Sequence, residues 1–298
     1  HTHTPKAGTL GLIAALLAGV PNRLHTIAGL PLMEATGKKR ILLNTVEKIT
    51  YACATKVYPN SKGLDEFVKK EKFTKSKKLK VIGEGSSNGI NVSHFNPALI
   101  SENERLSLKK SLNIAEDETI LIFLGRIVND KGIHELVDAF VSIAAKFPNV
   151  TLIVGGTPEK ELDPIKPKTE EFLHTHPKIK LLGWIEDVRP YLAISDAMVF
   201  PSYREGFPNV VMQAGAMGVP VIASNINGSN EIIISGENGV IVPVKNTELL
   251  EKAIVNFIKA NPKPYAAEKC RQMIIDRYDQ KLIWQLLRSE YEILLKNS

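Results

Sequence analysis

A doubly wound α/β fold with a parallel sheet is the class this 298-residue sequence predicts. Three observations predict it. Six short apolar runs recur from Thr119 onward: 119–124, 150–154, 179–182, 197–200, 219–223 and 239–242. They are apolar on both faces, as buried parallel strands are, rather than alternating. Segments of helix length separate them, and each run stops at a turn signal such as Gly125, Gly155-Gly156, Gly183, Pro201-Ser202, Ser224-Asn225 or Pro243. The pattern predicts one sheet covered on both sides over residues 115–260.

Taken in order, residues 8–18 read as a helix and 22–27 as a strand, followed by Ala28-Gly29-Leu30-Pro31. Residues 38–54 read as a helix, 56–58 as a short strand, 64–70 as a helix and 78–82 as a further strand. This is half of a second α/β unit. The chain starts at His1 without Met, so a longer protein is expected. Residues 84–118 read as a connector. The helix over 131–147 presents Ile133, Leu136, Val137, Phe140, Val141 and Ala144 on one face. Another helix begins near Asn209. In the tail, 266–297, two helical stretches are expected. Ile283, Leu286, Leu287, Tyr291, Leu294 and Leu295 give the last one an apolar face that predicts packing back onto the N-terminal unit.

Composition excludes several classes. Apolar residues make up 44% and charged residues 23%, enough apolar surface to fold. The net charge of +6 is uneven: residues 1–100 carry +9 and residues 101–298 carry −3. Cys53 and Cys270 form no disulfide framework or zinc site and read as free thiols of a reducing cytoplasm. No run reaches the roughly 18–20 apolar residues that span a bilayer. The longest, 10–20, lacks the flanks of a signal peptide. His1 and His3 have no third ligand nearby, so no metal is expected, and His25 and His134 read as ordinary strand-edge and helix residues. Seven lysines crowd into Lys69–Lys80. They read either as a solvated helix end or as a patch for anionic lipid. Nucleic acid is not expected, because no aromatic platform accompanies the charge.

Two segments carry chemistry. Gly125-Arg126-Ile127-Val128-Asn129-Asp130-Lys131-Gly132 joins a strand to a helix, where ligands of open parallel sheets bind. A helix N-terminus offers free N–H groups to an anion, and Arg126 and Lys131 add two cations, which suits a diphosphate. By itself this segment reads equally as a tight turn with solvated cations. The second runs from Pro201 to Ala214. Glu205 lies in its loop, Gly206 permits close backbone approach, and Gln213 follows eight residues later inside the helix. A carboxylate and an amide can hold the hydroxyls of a polyol; alternatively, Glu205 neutralises Arg204 and Gln213 is a surface residue.

Together these segments resemble the C-terminal, donor-binding domain of retaining glycosyltransferase family 4, which has the GT-B fold of two Rossmann-like domains facing a cleft. The resemblance rests on Gly125-Arg126 with Lys131-Gly132, Leu182-Gly183-Trp184, Pro201-Ser202-Tyr203-Arg204-Glu205-Gly206-Phe207, Ala216-Met217-Gly218-Val219-Pro220-Val221-Ile222 and Gly236-Glu237-Asn238-Gly239. His1-Thr2-His3-Thr4-Pro5-Lys6-Ala7-Gly8 and Asn88-Gly89-Ile90 resemble the N-terminal domain and linker of the subgroup that builds bacterial capsule and O-antigen polysaccharides.

The resemblance implies a truncated N-terminal acceptor-side domain over 1–100, a nucleotide-sugar donor domain over 101–264, and helices over 265–298 returning toward the first. It implies that Arg126 and Lys131 hold the donor diphosphate and stabilise its developing charge. Glu205 would contact the transferred sugar as the first acid of E-x7-E. Gly206, Phe207, Pro208, Asn209 and Val210 would carry backbone donors to sugar and phosphate. Gly183 and Trp184 would lie beside the nucleobase, Gln213 at the ribose, and Thr4, Lys6 and Gly29 on the acceptor side. The implied partners are a UDP-sugar donor, which is a substrate, a lipid-linked glycan acceptor, and an anionic membrane surface through Lys69–Lys80. No cofactor or metal is implied, and the expected location is cytoplasmic, peripheral on the inner membrane face.

Three departures stand out. Gln213 replaces the second acid, which costs charge assistance of about 1 kcal/mol. Ala28 stands where many relatives carry His. The first part of the N-terminal domain, which supplies a glycine-rich loop, is absent. A sugar-nucleotide epimerase and a non-catalytic donor-binding module remain as alternative readings.

Overall fold

The computed structural model describes residues 1–30, 32, 35–159, 161 and 163–296; the Pro31 and Asn297 named above lie outside them. The chain divides into two compact units. The first comprises His1–Gly89, Glu205–Phe207 and the chain from Arg277 onward; the second comprises Ile90–Arg204 and Pro208–Asp276. Packing divides the chain at 89/90 and 276/277, with 205–207 joined to the first unit, where the resemblance implied 100/101 and 264/265.

In the first unit the order is α1 (Pro5–Leu17), β1 (Leu24–Ile27), α2 (Gly37–Cys53), β2 (Lys56–Pro59) and α3 (Lys62–Lys70). β1 and β2 pair in parallel, with Leu24 opposite Lys56. Single parallel bridges extend them: Thr2 to His25 on one side and Leu79 to Val57 on the other. The strand expected over 78–82 is thus reduced to one bridge, because Ser76–Lys78 is wound into a 3-10 turn. Leu12, Ile27, Tyr51, Val57, Leu64 and Val68 form the core of this unit.

The second unit continues with α4 (Glu102–Ser111), β3 (Thr119–Leu124), α5 (Ile133–Lys146), β4 (Val150–Gly155), α6 (Pro167–Thr175), β5 (Ile179–Gly183) and α7 (Arg189–Ala193). It then runs through β6 (Ala197–Phe200), α8 (Asn209–Ala216), β7 (Val221–Ser224), α9 (Ser229–Ile232), β8 (Gly239–Val242), α10 (Thr247–Lys259) and α11 (Ala267–Tyr278), whose last two residues belong to the first unit. Its six strands are all parallel, in the order β5-β4-β3-β6-β7-β8. Leu121 and Phe123 of β3 join a cluster with Leu136 and Phe140 of α5 and Leu250 and Ile254 of α10. Ile120, Ile122 and Leu124 alternate to the opposite face and are also buried. The continuous apolar runs of the sequence are explained by this two-sided cover.

Two expectations need correction here. The connector contains a helix, α4, started by a capping box in which Ser101 and Glu104 satisfy each other's backbone N–H. The helix expected from Lys131 starts at Ile133 instead. Asn129–Lys131 is a 3-10 turn, and Gly132 breaks it with a left-handed conformation, φ 67°.

The final helix, α12 (Gln280–Lys296), belongs to the first unit. Tyr291 and Leu294 pack on Leu24, Tyr58 and Ile82. Inside this contact the Tyr58 hydroxyl donates to Glu290 at 3.1 Å, and Lys80 pairs with the same carboxylate. At the helix start, Trp284 donates to Asn88 at 2.7 Å.

A Cβ added at Gly132 would overlap the carbonyl oxygen of Pro201. Gly132→Ala is therefore expected to lower stability by more than the ~1–2 kcal/mol of the left-handed conformation alone. Denaturant unfolding measures this, and a loss below ~0.5 kcal/mol would contradict the close approach.

Candidate functional site: a diphosphate cradle at the sheet's switch point

β3 is the first strand of its sheet, yet it lies centrally, with β4 on one side and β6 on the other. Connections after β3 and β6 therefore leave in opposite directions, and a crevice opens at their carboxyl ends. Both chemistry-bearing segments of the sequence are there. Gly125, Arg126 and Lys131 follow β3; Pro208, Asn209, Val210 and Gln213 lie at and within α8, after β6.

Backbone polarity of the crevice is electropositive. α5 starts from Gly132 and α8 from Pro208, and neither has a side-chain cap bond. Each helix start thus presents N–H groups and the positive end of its dipole. Arg126 and Lys131 add formal charge in front of them. Gln213, half-buried, sits one turn into α8.

Asp130 joins the two loops. Its carbonyl oxygen accepts the Tyr203 N–H at 2.8 Å, and its carboxylate pairs with Arg204 at 2.9 Å. Its own N–H donates to the Asp163 carboxylate at 2.7 Å. The Tyr203 hydroxyl donates to both Glu135 oxygens at 2.7 Å, with Lys245 over its ring. Burial and this carboxylate push the Tyr203 phenol well above its ordinary pKa, so it remains a donor. Arg204 is thus paired with Asp130, and neutralisation by Glu205 is not required. None of these partners showed a sequence signal, being separated by 33 residues or more.

Arg126 is occupied: it donates to Glu159, in the loop after β4, at 2.6 Å. Gly183 and Trp184 lie farther along the same carboxyl edge, two strands from β3. Gly183 is left-handed at φ 69°, and Trp184 is 79% exposed, an open stacking face.

Glu205, Gly206 and Phe207 belong to the first unit. Gly206 lies against residue 28, where a Cβ would overlap the Ala28 carbonyl oxygen, with Gly29 beside it. The close backbone approach expected of Gly206 is thus made to the chain itself. Phe207 is buried against Gly85 and edge-on to Tyr278 at 5.3 Å. Glu205 is half-buried. Thr4 and Lys6 lie at the start of α1 and Gly29 just beyond β1. Among the described residues, no group of three or more His, Cys, Asp or Glu could hold a metal ion.

The larger unit is thus a doubly wound α/β sheet with two helix starts and two cations at its switch point and an exposed aromatic ring at its edge. The family model described as "Glycosyl transferases group 1" matches residues 104–277. The capsular polysaccharide biosynthesis glycosyltransferase CapM of Staphylococcus aureus is 34% identical over this whole chain, which covers 77% of that protein. An Escherichia coli enzyme, UDP-Gal:alpha-D-GlcNAc-diphosphoundecaprenol alpha-1,3-galactosyltransferase, is 28% identical over 94% of this chain and 71% of its own length. Among solved structures, Anabaena HepE in complex with UDP superposes with a TM-score of 0.82 at 22% identity, covering 97% of this chain and 77% of that one. The chain belongs to the group 1 glycosyltransferases. It is a glycosyltransferase, and its fold is the GT-B fold of that class.

The Arg126–Glu159 pair has its own consequence. If Arg126 holds a diphosphate, as the sequence resemblance implies, that anion competes with Glu159 for the guanidinium. The pair is partly exposed, so its strength is that of a surface ion pair, about 0.2–1 kcal/mol. Glu159→Gln is expected to tighten UDP binding about two- to fivefold, read by titration calorimetry. Weaker binding would mean that Glu159 orients Arg126 rather than competing for it.

Proposed function

We propose that this glycosyltransferase moves a sugar from a UDP-sugar to a hydroxyl group on a lipid-linked glycan, with retention of anomeric configuration, during surface polysaccharide synthesis. The observation that carries the donor half is the pair of uncapped helix starts, α5 and α8, flanking Arg126 and Lys131 at the β3/β6 switch point. The acceptor half is supported by the CapM similarity and by the diphosphoundecaprenol substrate in the Escherichia coli relative's name.

In the reaction the bond between C1 and the diphosphate oxygen breaks, and C1 bonds to the acceptor oxygen. The acceptor proton goes to a donor phosphate oxygen, so no protein nucleophile is needed. Arg126, Lys131 and the helix starts stabilise negative charge growing on the diphosphate. Backbone N–H groups of Asn209 and Val210 serve the same end. Glu205 orients the sugar hydroxyls, Gln213 the ribose, and Trp184 stacks on the base. The first unit is the acceptor side, with Thr4 and Lys6 at the start of α1 and Gly29 just beyond β1, and the protein works at the cytoplasmic membrane surface. No helix among the described residues is long and apolar enough to cross a membrane.

The anionic lipid patch expected at Lys69–Lys80 is only partly available. Lys69 pairs with Asp65, and Lys80 with Glu290. Lys78 donates to the carbonyls of Tyr51, Ala52 and Ala54, closing the end of α2, and burial lowers its pKa.

Arg126→Ala and Lys131→Ala are each expected to weaken UDP-sugar binding by about 1.5–3 kcal/mol without unfolding the chain. Unchanged affinity in both variants would remove the donor assignment. Product analysis with a lipid-linked acceptor then separates transfer from binding alone, and anomeric NMR reads retention.

Gln213→Glu is expected to keep or tighten the grip on UDP, since a carboxylate can accept from both ribose hydroxyls. A loss beyond about tenfold, roughly 1.4 kcal/mol, would place Gln213 away from the ribose.

A further inference from the structure

α5 carries an acid in its first turn, Glu135, the third residue of the helix. The positive end of the dipole draws a carboxylate at that position toward the helix start, where it accepts backbone N–H groups. Yet the start of α5 has no side-chain cap. The N–H of Gly132 already donates to the Asn129 carbonyl at 3.0 Å. The N–H groups of residues 133–135, which have no partner within the helix, face the same crevice as Lys131.

The Glu135 carboxylate is taken up by Tyr203, 68 residues away in the loop after β6, with both oxygens 2.7 Å from the hydroxyl. Tyr203 is itself fixed on two further sides. Its N–H donates to the Asp130 carbonyl at 2.8 Å, and the Lys245 ammonium lies 4.7 Å from the centre of its ring. Burial and the carboxylate hold the phenol well above its ordinary pKa, so the O–H stays on as a donor. The other two acids nearby are engaged as well: Asp130 pairs with Arg204, and Asp163 accepts the Asp130 N–H. Left loose in the first turn, Glu135 would compete with an incoming anion for the same N–H groups and repel it.

We propose that Tyr203 is a positioning residue for the donor diphosphate: it holds the Glu135 carboxylate off the start of α5 and so keeps that helix start open to the anion. The proposal rests on the donor reading given above and adds the residue that governs access to its helix start. It differs from a brace that merely ties the β6–α8 loop to α5. A brace weakens every ligand alike, whichever partner is removed. Here the loss grows with the phosphate charge of the ligand and disappears when the Glu135 charge is removed too.

Titration calorimetry of the full chain with UDP, UMP and uridine tests this, with denaturant unfolding of each variant as the folding check. Tyr203→Phe keeps the ring beside Lys245 and removes only the hydroxyl. It should weaken UDP about five- to tenfold, UMP by less and uridine not at all. Glu135→Gln keeps an acceptor for the Tyr203 hydroxyl and removes the charge. It should bind UDP as well as wild type, or up to about threefold more tightly. The double variant, Tyr203→Phe with Glu135→Gln, should return to within about twofold of Glu135→Gln alone.

A Tyr203→Phe affinity for UDP within about twofold of wild type would overturn the proposal. So would an equal loss for uridine and UDP, or a double variant no better than Tyr203→Phe, since either marks a brace. Should Tyr203→Phe fail to fold, Glu135→Gln carries the test: a loss of UDP affinity beyond about threefold in that folded variant would show that the carboxylate serves the ligand rather than opposing it. Wild type that binds no UDP would remove the donor reading, and this proposal with it. Wild-type binding with brace-like variants would remove the proposal alone.

Discussion

Pairing of β3 with β6 is the constraint on which the larger unit depends. It places the first strand of the sheet in the middle, so the crossovers after β3 and β6 leave in opposite directions and the crevice between them is filled by neither. Two helix starts without side-chain caps and the cations Arg126 and Lys131 meet at that crevice. Gly132 is the price of bringing the loops together, since only a residue without Cβ lets the Pro201 carbonyl approach. Asp130 completes the contact by giving its carbonyl to Tyr203 and its carboxylate to Arg204.

This arrangement also accounts for the division of labour among charges. Two arginines near the crevice are held by carboxylates from sequence-distant loops, Arg126 by Glu159 and Arg204 by Asp130. Such partners offset the repulsion between neighbouring cations. In the first unit the positive excess is handled differently: Lys78 spends its donors on three carbonyls at the end of α2, and Lys80 meets a carboxylate from α12.

Much of the larger unit was legible in the sequence because its inner strands are buried on both faces and each strand is followed by a turn signal. Residues 197–200 coincide with the fully buried β6 for the first reason, and 239–242 with the half-buried edge strand β8 chiefly for the second. The smaller unit was harder. Its strands are four residues long, and at 78–82 the local preference of Ser76–Lys78 for a tight turn left a single bridge. The helix α4 was missed although Ser101 and Glu104 spell its capping box; it has no buried residue, so no apolar period announced it. Arg126 and Lys131 could be found from their place at a strand-to-helix turn. Their neighbours could not: Glu159, Asp163 and Glu135 reach the site only through tertiary folding. Nor does any local pattern foretell that residues 205–207 leave the unit in which they are embedded and join Ala28 and Gly85.

The helix α12 closes the first unit from the far end of the chain. Tyr58 and Glu290 are separated by 232 residues, and Leu24, Tyr58 and Ile82 have Tyr291 and Leu294 as cover. A ribosome delivers the opening segment long before its last helix. During synthesis the early part must therefore wait with an apolar edge exposed while the intervening unit, which is built from sequential strand–helix–strand repeats, can condense on its own. Leu24, Tyr58 and Ile82 therefore gain their cover only once Tyr291 and Leu294 have been made, and until then that apolar edge is open to misassociation.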